Sequence, residues 1–127
     1  MTNPELEKRF MTPAQVSEAA AILAAEFGIP EPSIQYGPRT RNGRYSPSST
    51  TIKVGAIAWR GVEVSFLHEF AHHLNTCRGG GNHDKGFWNA LLEITRAWYG
   101  DPVRYPWGTE YKAGQNFAER RGIRRHR

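Results

Sequence analysis

The sequence predicts an α+β fold in a single domain, and three observations support this. A capped amphipathic segment lies near the start, a run rich in β-branched residues lies in the middle, and two segments with helical periodicity follow. At 127 residues the chain can bury one hydrophobic core but is short for two domains. We therefore expect an N-terminal helix, a small mixed sheet and two further helices, all within residues 1–111, followed by a basic tail at 112–127.

The first helix is predicted from its capping residues. Thr12 is a suitable N-cap, Pro13 fits the first helical position, and Gln15 completes a capping box. Apolar residues then recur on one face, and Gly28 followed by Pro30 ends the helix. This element is expected to be scaffold.

Two segments favour strands, residues 32–37 and 49–55. The Asn42-Gly43 pair between them is typical of a type I′ turn and would begin a hairpin strand at residues 44–46. Because residues 49–55 directly precede the histidine-rich part of the chain, we expect them to form an edge strand beside the site. An extended peptide could add to such an edge.

Four of the five histidines lie between His68 and His83. Apolar spacing predicts a helix over residues 62–75, in which His68 and His72 are only about 40° apart and can reach one ion. Glu69 is displaced by about 100°, so it can contact a water held by the metal instead of the metal itself. Two ligands and a general base on one helical turn are typical of zinc hydrolases.

A catalytic zinc site takes three protein ligands, so a third must come from elsewhere. The metzincin pattern is excluded because Asn75 and Arg78 occupy the places of its glycine and its third histidine.

His83 is the leading candidate for the third ligand. Three glycines at 79–81 cannot continue the helix, and the resulting turn would deliver His83 at the start of the next helix, predicted over 84–99. Glu93 and Glu110 remain alternatives, since other zincins use a downstream glutamate.

His73 lies five residues after His68 and points away from the ligand face. We expect it at the surface or beside a ligand, not on the metal. The donor that would stabilise negative charge during hydrolysis is left open among four residues, Tyr45, His73, Tyr105 and Tyr111.

The segment HEFAHHL followed by HDKGFW resembles the small cytosolic zincins of the SprT, WLM and YgjP-like type. In those proteins the second segment also begins with a histidine, and Lys85, Phe87 and Trp88 match its pattern. Asp84 stands where those proteins carry Ser or Gly. The resemblance is closer still to metallohydrolases of actinobacteria and phages, in which a Tyr and a β-branched strand, here Tyr45 and residues 52–54, precede the motif. The resemblance covers residues 45–98.

This resemblance implies a minimal zincin fold, with zinc on His68, His72 and His83 and with Glu69 as general base. It also implies peptidase activity on protein substrates, from DNA-crosslinked proteins to regulators. Residues 110–119 are similar to phage zincins that cleave a repressor, whose third ligand would be a glutamate.

The net charge of +5 is concentrated at one end of the chain. Residues 112–127 hold six Lys or Arg against one Glu, which accounts for the whole excess. Such a tail could contact nucleic acid weakly, or it could be a solvated terminus. A single cysteine, Cys77, and an acidic, not apolar, start favour a cytoplasmic protein with no membrane segment.

The sequence therefore predicts a zinc-dependent metallopeptidase. The alternatives are a nucleic-acid-associated module that uses zinc only for stability, and a phage-type zincin that cleaves a repressor.

Overall fold

The computed structural model describes residues 11–37, 43–55, 61–100, 107 and 110–123. It confirms the α+β class, with four helices and a small three-stranded mixed sheet in the described part of the chain. The helices are α1 (Pro13–Phe27), α2 (Val62–Cys77), α3 (Lys85–Tyr99) and α4 (Lys112–Arg120). The strands are β1 (Ser33–Gly37), β2 (Arg44–Ser46) and β3 (Thr51–Gly55).

Helix α1 has the predicted capping box. The Gln15 amide donates to Thr12 Oγ1 at 3.2 Å, and the Thr12 amide donates to Gln15 Oε1 at 2.9 Å. Gly28 ends the helix in the left-handed region at φ 65°, where glycine has no steric penalty. The apolar face of α1 packs against α2 and β1.

The sheet order is β1-β3-β2, so β3 is the central strand and the predicted edge position of residues 49–55 is wrong. Strand β1 pairs with β3 in parallel, and β2 pairs with it antiparallel. Ile52 and Val54 are fully buried under the helices, so the β-branched run marks a core strand. The edge beside α2 is the short strand β2. Asn42, the first residue of the predicted turn pair, lies outside the described residues.

Helix α2 occupies the centre of the molecule and contacts α1, α3, β2 and β3. Its residues from Val62 to Ala71 are all buried, including the polar ones. Buried polar groups are costly unless they are hydrogen-bonded, so the side chains of α2 determine which other segments must approach it.

The first part of the basic segment 112–127 is packed. Helix α4 places Phe117 and Ala118 in the hydrophobic core, and the Phe117 ring stacks on Trp107 with centroids 5.9 Å apart. Residues 124–127 lie outside the described part. Among the described residues, no helix has the length and apolar character needed to cross a bilayer.

Helix α4 approaches α3 closely at Gly114. A Cβ at this position would lie 2.5 Å from Cζ3 of Trp88. Gly-to-Ala changes inside helices normally stabilise by about 1 kcal/mol, but here the indole must move, and overpacking costs about 1–3 kcal/mol. We expect Gly114→Ala to lower the free energy of unfolding measured by chemical denaturation. Asn116→Ala, at an exposed position of the same helix, should change it by less than about 0.5 kcal/mol. Equal stabilities for the two variants would contradict this packing.

Candidate metal centre

The histidines of the motif line an open cleft of about 570 Å³. Its floor is α2, which supplies His68, Glu69 and His72. Strand β2 forms one wall, and the loop that follows α2 and carries His83 forms another. The cleft therefore joins the predicted ligands and the predicted general base in one solvent-accessible space.

The three predicted ligands lie together. The Nε2 atoms of His68 and His83 are 3.1 Å apart, and one ring nitrogen from each of His68, His72 and His83 lies within 4.8 Å of the others. Two imidazoles that share a tetrahedral zinc ion have nitrogens roughly 3.3 Å apart, given Zn–N bonds of about 2.0–2.1 Å. The triad is therefore close enough to bind one metal ion after small side-chain adjustments.

Glu110 contacts one histidine of the triad, His68, on the side of its ring away from His83. Its carboxylate accepts a hydrogen bond from Nδ1 of His68 at 2.8 Å, and the carboxylate is fully buried. The Nε2 atom on the other side of the same ring is directed toward His83. A carboxylate in this position orients a metal-binding histidine and raises its basicity. The hydrogen bond between His68 and Glu110 therefore supports a metal ion at this site independently of the histidine spacing.

Neither glutamate considered as a third ligand belongs to the cluster. Glu110 contacts His68 from the side away from the cleft. Glu93 forms a bidentate ion pair with Arg78, with N–O distances of 2.7 and 3.0 Å. The hydrogen bond from this guanidinium holds the pKa of Glu93 below its usual value, and both side chains are partly exposed. Glu93 is thus a helix-surface residue.

The loop that carries His83 is fixed by hydrogen bonds. The Asn75 side-chain amide donates to Gly81 O at 2.7 Å and to Asp84 Oδ1 at 2.9 Å. The chain at Gly80 approaches so closely that a Cβ there would lie 2.2 Å from Asn75 Oδ1. Asp84 caps α3 by accepting from the Phe87 amide at 2.8 Å.

His83 itself has φ 48°, in the left-handed region. Such a conformation costs about 1–3 kcal/mol for a residue other than glycine and persists where its surroundings impose it. Asp84 supports it, because hydrogen bonds from the Gly81 and Phe87 amides and from Asn75 lower the pKa of its carboxyl and keep it charged. The strained residue is the one whose imidazole reaches the cleft.

His73 is buried, so the surface position, one of the two that were predicted for it, is wrong. Its Nε2 donates to Pro30 O at 2.7 Å, which leaves Nδ1 to accept from the Tyr45 hydroxyl at 2.9 Å. Burial, with the neighbouring Cys77, raises the pKa of Tyr45 and keeps its hydroxyl protonated as the donor. His73 is absent from the metal-facing cluster and joins α2 to β2 and to the start of β1.

The other predicted site residues differ in position. Glu69 lines the cleft and is 7% exposed. Tyr45 and Tyr111 also line it, and the Tyr111 ring lies edge-on to His83 with centroids 4.8 Å apart. Tyr105 lies outside the described residues.

Two features were missed at the sequence level. The Asp84 cap could have been found from the residue type one position before a predicted helix. The role of Glu110 could not have been found from the sequence, because 42 residues separate it from His68.

Comparisons with protein-family models, with curated proteins and with solved structures give no match.

The third ligand can be tested by metal content. His83→Ala removes one of three nitrogen donors, so we expect zinc binding to be lost, measured by equilibrium dialysis with metal analysis. Glu93→Ala breaks only a surface ion pair and should retain the metal at a stoichiometry close to that of the unmodified chain. If Glu93→Ala emptied the site while His83→Ala kept it, the ligand assignment would be reversed.

The contact of Glu110 with His68 gives a second prediction. Glu110→Gln keeps the size of the side chain and removes its charge, and loss of such a partner typically lowers metal affinity by about 10- to 100-fold. We expect weaker binding with all three histidines still engaged, measured by competition with a chromogenic chelator. Glu119→Gln, an exposed change on α4, is the matched control and should leave the affinity unchanged.

Proposed function

We propose that this protein is a zinc-dependent metallopeptidase that hydrolyses peptide bonds, with His68, His72 and His83 as ligands and Glu69 as general base. The observation that carries the proposal is the convergence of three imidazoles and a carboxylate on one open cleft. The ligand count supports catalysis, because three protein ligands leave a tetrahedral ion one open position. A purely structural zinc site is normally closed by a fourth side chain.

Zinc bound there would polarise the scissile carbonyl and lower the pKa of water. Glu69 follows His68 directly in the chain, so it reaches the cleft from an adjacent position on the same helix. It accepts a proton from the water that attacks the carbonyl carbon. As the C–N bond breaks, Glu69 passes this proton to the leaving amine. Tyr111, which packs beside His68 and His83, is the donor we favour for the developing oxyanion.

The wall of the cleft supports an extended peptide as substrate. Among the described residues, β2 pairs with β3 and has no strand on its other side, and Arg44, Tyr45 and Pro47 face the cleft from β2 or just after it. An extended chain can add to such an edge through main-chain hydrogen bonds. In this proposal β2 takes the role that the sequence suggested for residues 49–55.

The similarity of residues 45–98 to small cytosolic zincins agrees with this function and stays a prediction. The cytoplasmic location also stays a prediction, and it rests on the presence of a single cysteine. The repressor-cleaving alternative gains no support from geometry, because no glutamate among the described residues belongs to the histidine cluster.

The decisive variant is Glu69→Gln. It removes the proton acceptor without removing a ligand, so zinc content and melting temperature should be unchanged. General-base catalysis contributes about 10²- to 10⁴-fold, and we expect activity to fall by that factor. The assay follows cleavage of unfolded protein substrates by the zinc-loaded chain, with mass spectrometry of the products.

Matched controls make this result interpretable. Glu63→Gln changes another buried carboxylate of α2 that lies outside the cleft, so its activity per folded, zinc-loaded molecule should be retained. Equal cleavage by the unmodified chain and by Glu69→Gln would exclude this site as the source of activity. Loss of the fold on chelation, with no cleavage by either chain, would favour the module that uses zinc only for stability.

A further inference from the structure

A second concave surface lies between α3 and α4, outside the metal cleft. It has a volume of about 480 Å³, and we call it the α3–α4 groove. Trp88 lies between the two sites, because its indole lines the groove and also stacks on His83 with centroids 5.7 Å apart. The two sites share no lining residue.

The groove is positively charged. Lys85 lines it from α3, and Arg120 and Arg121 line it from α4, while none of the described residues that line it is acidic. Two acidic residues adjoin these cations in sequence: Asp84 is engaged by hydrogen bonds in the His83 loop, and Glu119 does not line the groove. Like charges gathered in one concavity focus the electrostatic potential and attract anions.

Folding does not explain all of these cations. Lys85 is the first residue of α3, where a positive charge opposes the helix dipole, whereas Arg120 lies in the last turn of α4, where it favours the dipole. On α4 the residues 113, 116, 117, 120 and 121 follow the i, i+3, i+4, i+7 and i+8 pattern of a single helix face. That face buries Phe117 and then presents two arginines, and the Arg121 guanidinium lies 3.7 Å above the Phe117 ring. The stacking orders the arginine before any ligand arrives.

The two aromatic residues of the groove restrict the type of ligand. Trp88 is 4% exposed and Phe117 is 2% exposed, so neither offers a free face on which a base could stack. Recognition must therefore depend on charge alone, which is the property of contacts to a phosphate backbone. The sequence after Ile123 adds Arg124, Arg125 and Arg127, so a cation-rich segment follows the helix that forms the groove.

We propose that the α3–α4 groove binds the phosphodiester backbone of single-stranded nucleic acid without sequence preference. Cations from two helices along one groove fit a continuous polyanion better than a single anion. A groove bounded by two helices accepts one strand. The site is distinct from the metal centre and does not depend on peptidase activity, so it can be tested on a chain in which Glu69 is replaced.

The test is fluorescence anisotropy of a labelled mixed-sequence single-stranded DNA with the full chain, at salt concentrations of about 50 to 200 mM. Each phosphate contact on a single strand contributes a slope of about −0.7 to log K against log[salt], so the three cations of the groove contribute about −2 to the slope of the full chain. Arg120→Gln/Arg121→Gln should make the slope less steep by about 1.4 and weaken binding about 25-fold near 0.1 M salt. Lys85→Gln, on the other helix, should weaken it about fivefold.

Lys112→Gln is the matched control, because it removes the same charge from α4 at an exposed position outside the groove. It should bind like the unmodified chain, and thermal melting should show that all variants fold. Arg121→Lys keeps the charge and should retain most of the affinity. Three results would each overturn the proposal: no binding by the unmodified chain, equal weakening by Lys112→Gln, or tighter binding of a duplex of the same sequence.

Discussion

Burial of α2 from Val62 to Ala71 is the constraint on which the rest of this structure depends. The helix carries two histidines of a cluster that could hold a metal ion, yet it lies in the centre of the core, where an unpaired polar group costs about 1–3 kcal/mol. Each buried polar side chain therefore requires a partner from another segment. His68 is hydrogen-bonded to Glu110, Asn75 to Gly81 in the loop, and His73 to Pro30. Trp98 of α3 donates to the carboxylate of Glu63. These hydrogen bonds provide partners for buried polar side chains of α2 and also fix the positions of the neighbouring segments.

The histidine cluster is a product of that arrangement. The bond from His68 to Glu110 orients one imidazole of the cluster and brings the start of α4, including Tyr111, to the cleft. The bonds from Asn75 hold the loop on which His83 adopts its left-handed conformation. Local strain of this kind is retained where the surroundings over-determine it. The ligand geometry is therefore imposed by the buried polar network before any ion binds.

The beginning of α3 serves both concave surfaces. Asp84 caps the helix, Lys85 lines the α3–α4 groove, and the Phe87 ring packs against His72 with centroids 4.3 Å apart. Trp88 then contacts His83 on one side and the α4 backbone at Gly114 on another. Because close-packed interiors transmit displacements, a change in the position of α4 would shift His83 through the indole ring of Trp88.

Local rules were sufficient for much of this protein. Capping and periodicity predict α1, α2 and α3 to within about two residues, because those signals lie in neighbouring positions of the chain. The spacing of His68, Glu69 and His72 follows from helix geometry alone. The glycines at 79–81 predict the turn that returns His83 to them.

Pairing between distant segments was decided only by the tertiary structure. The sequence cannot show that β3 has neighbours on both edges, since a β-branched run suits an edge as well as a centre. It left His73 either at the surface or beside a ligand, because its angle on the helix excludes the ligand face, but α2 has no exposed face there. It offered Glu110 as a ligand, whereas the fold sets its carboxylate behind His68. The reason is physical: helix geometry is encoded over a few residues, while the partner of a buried polar group depends on which segments the whole core brings into contact.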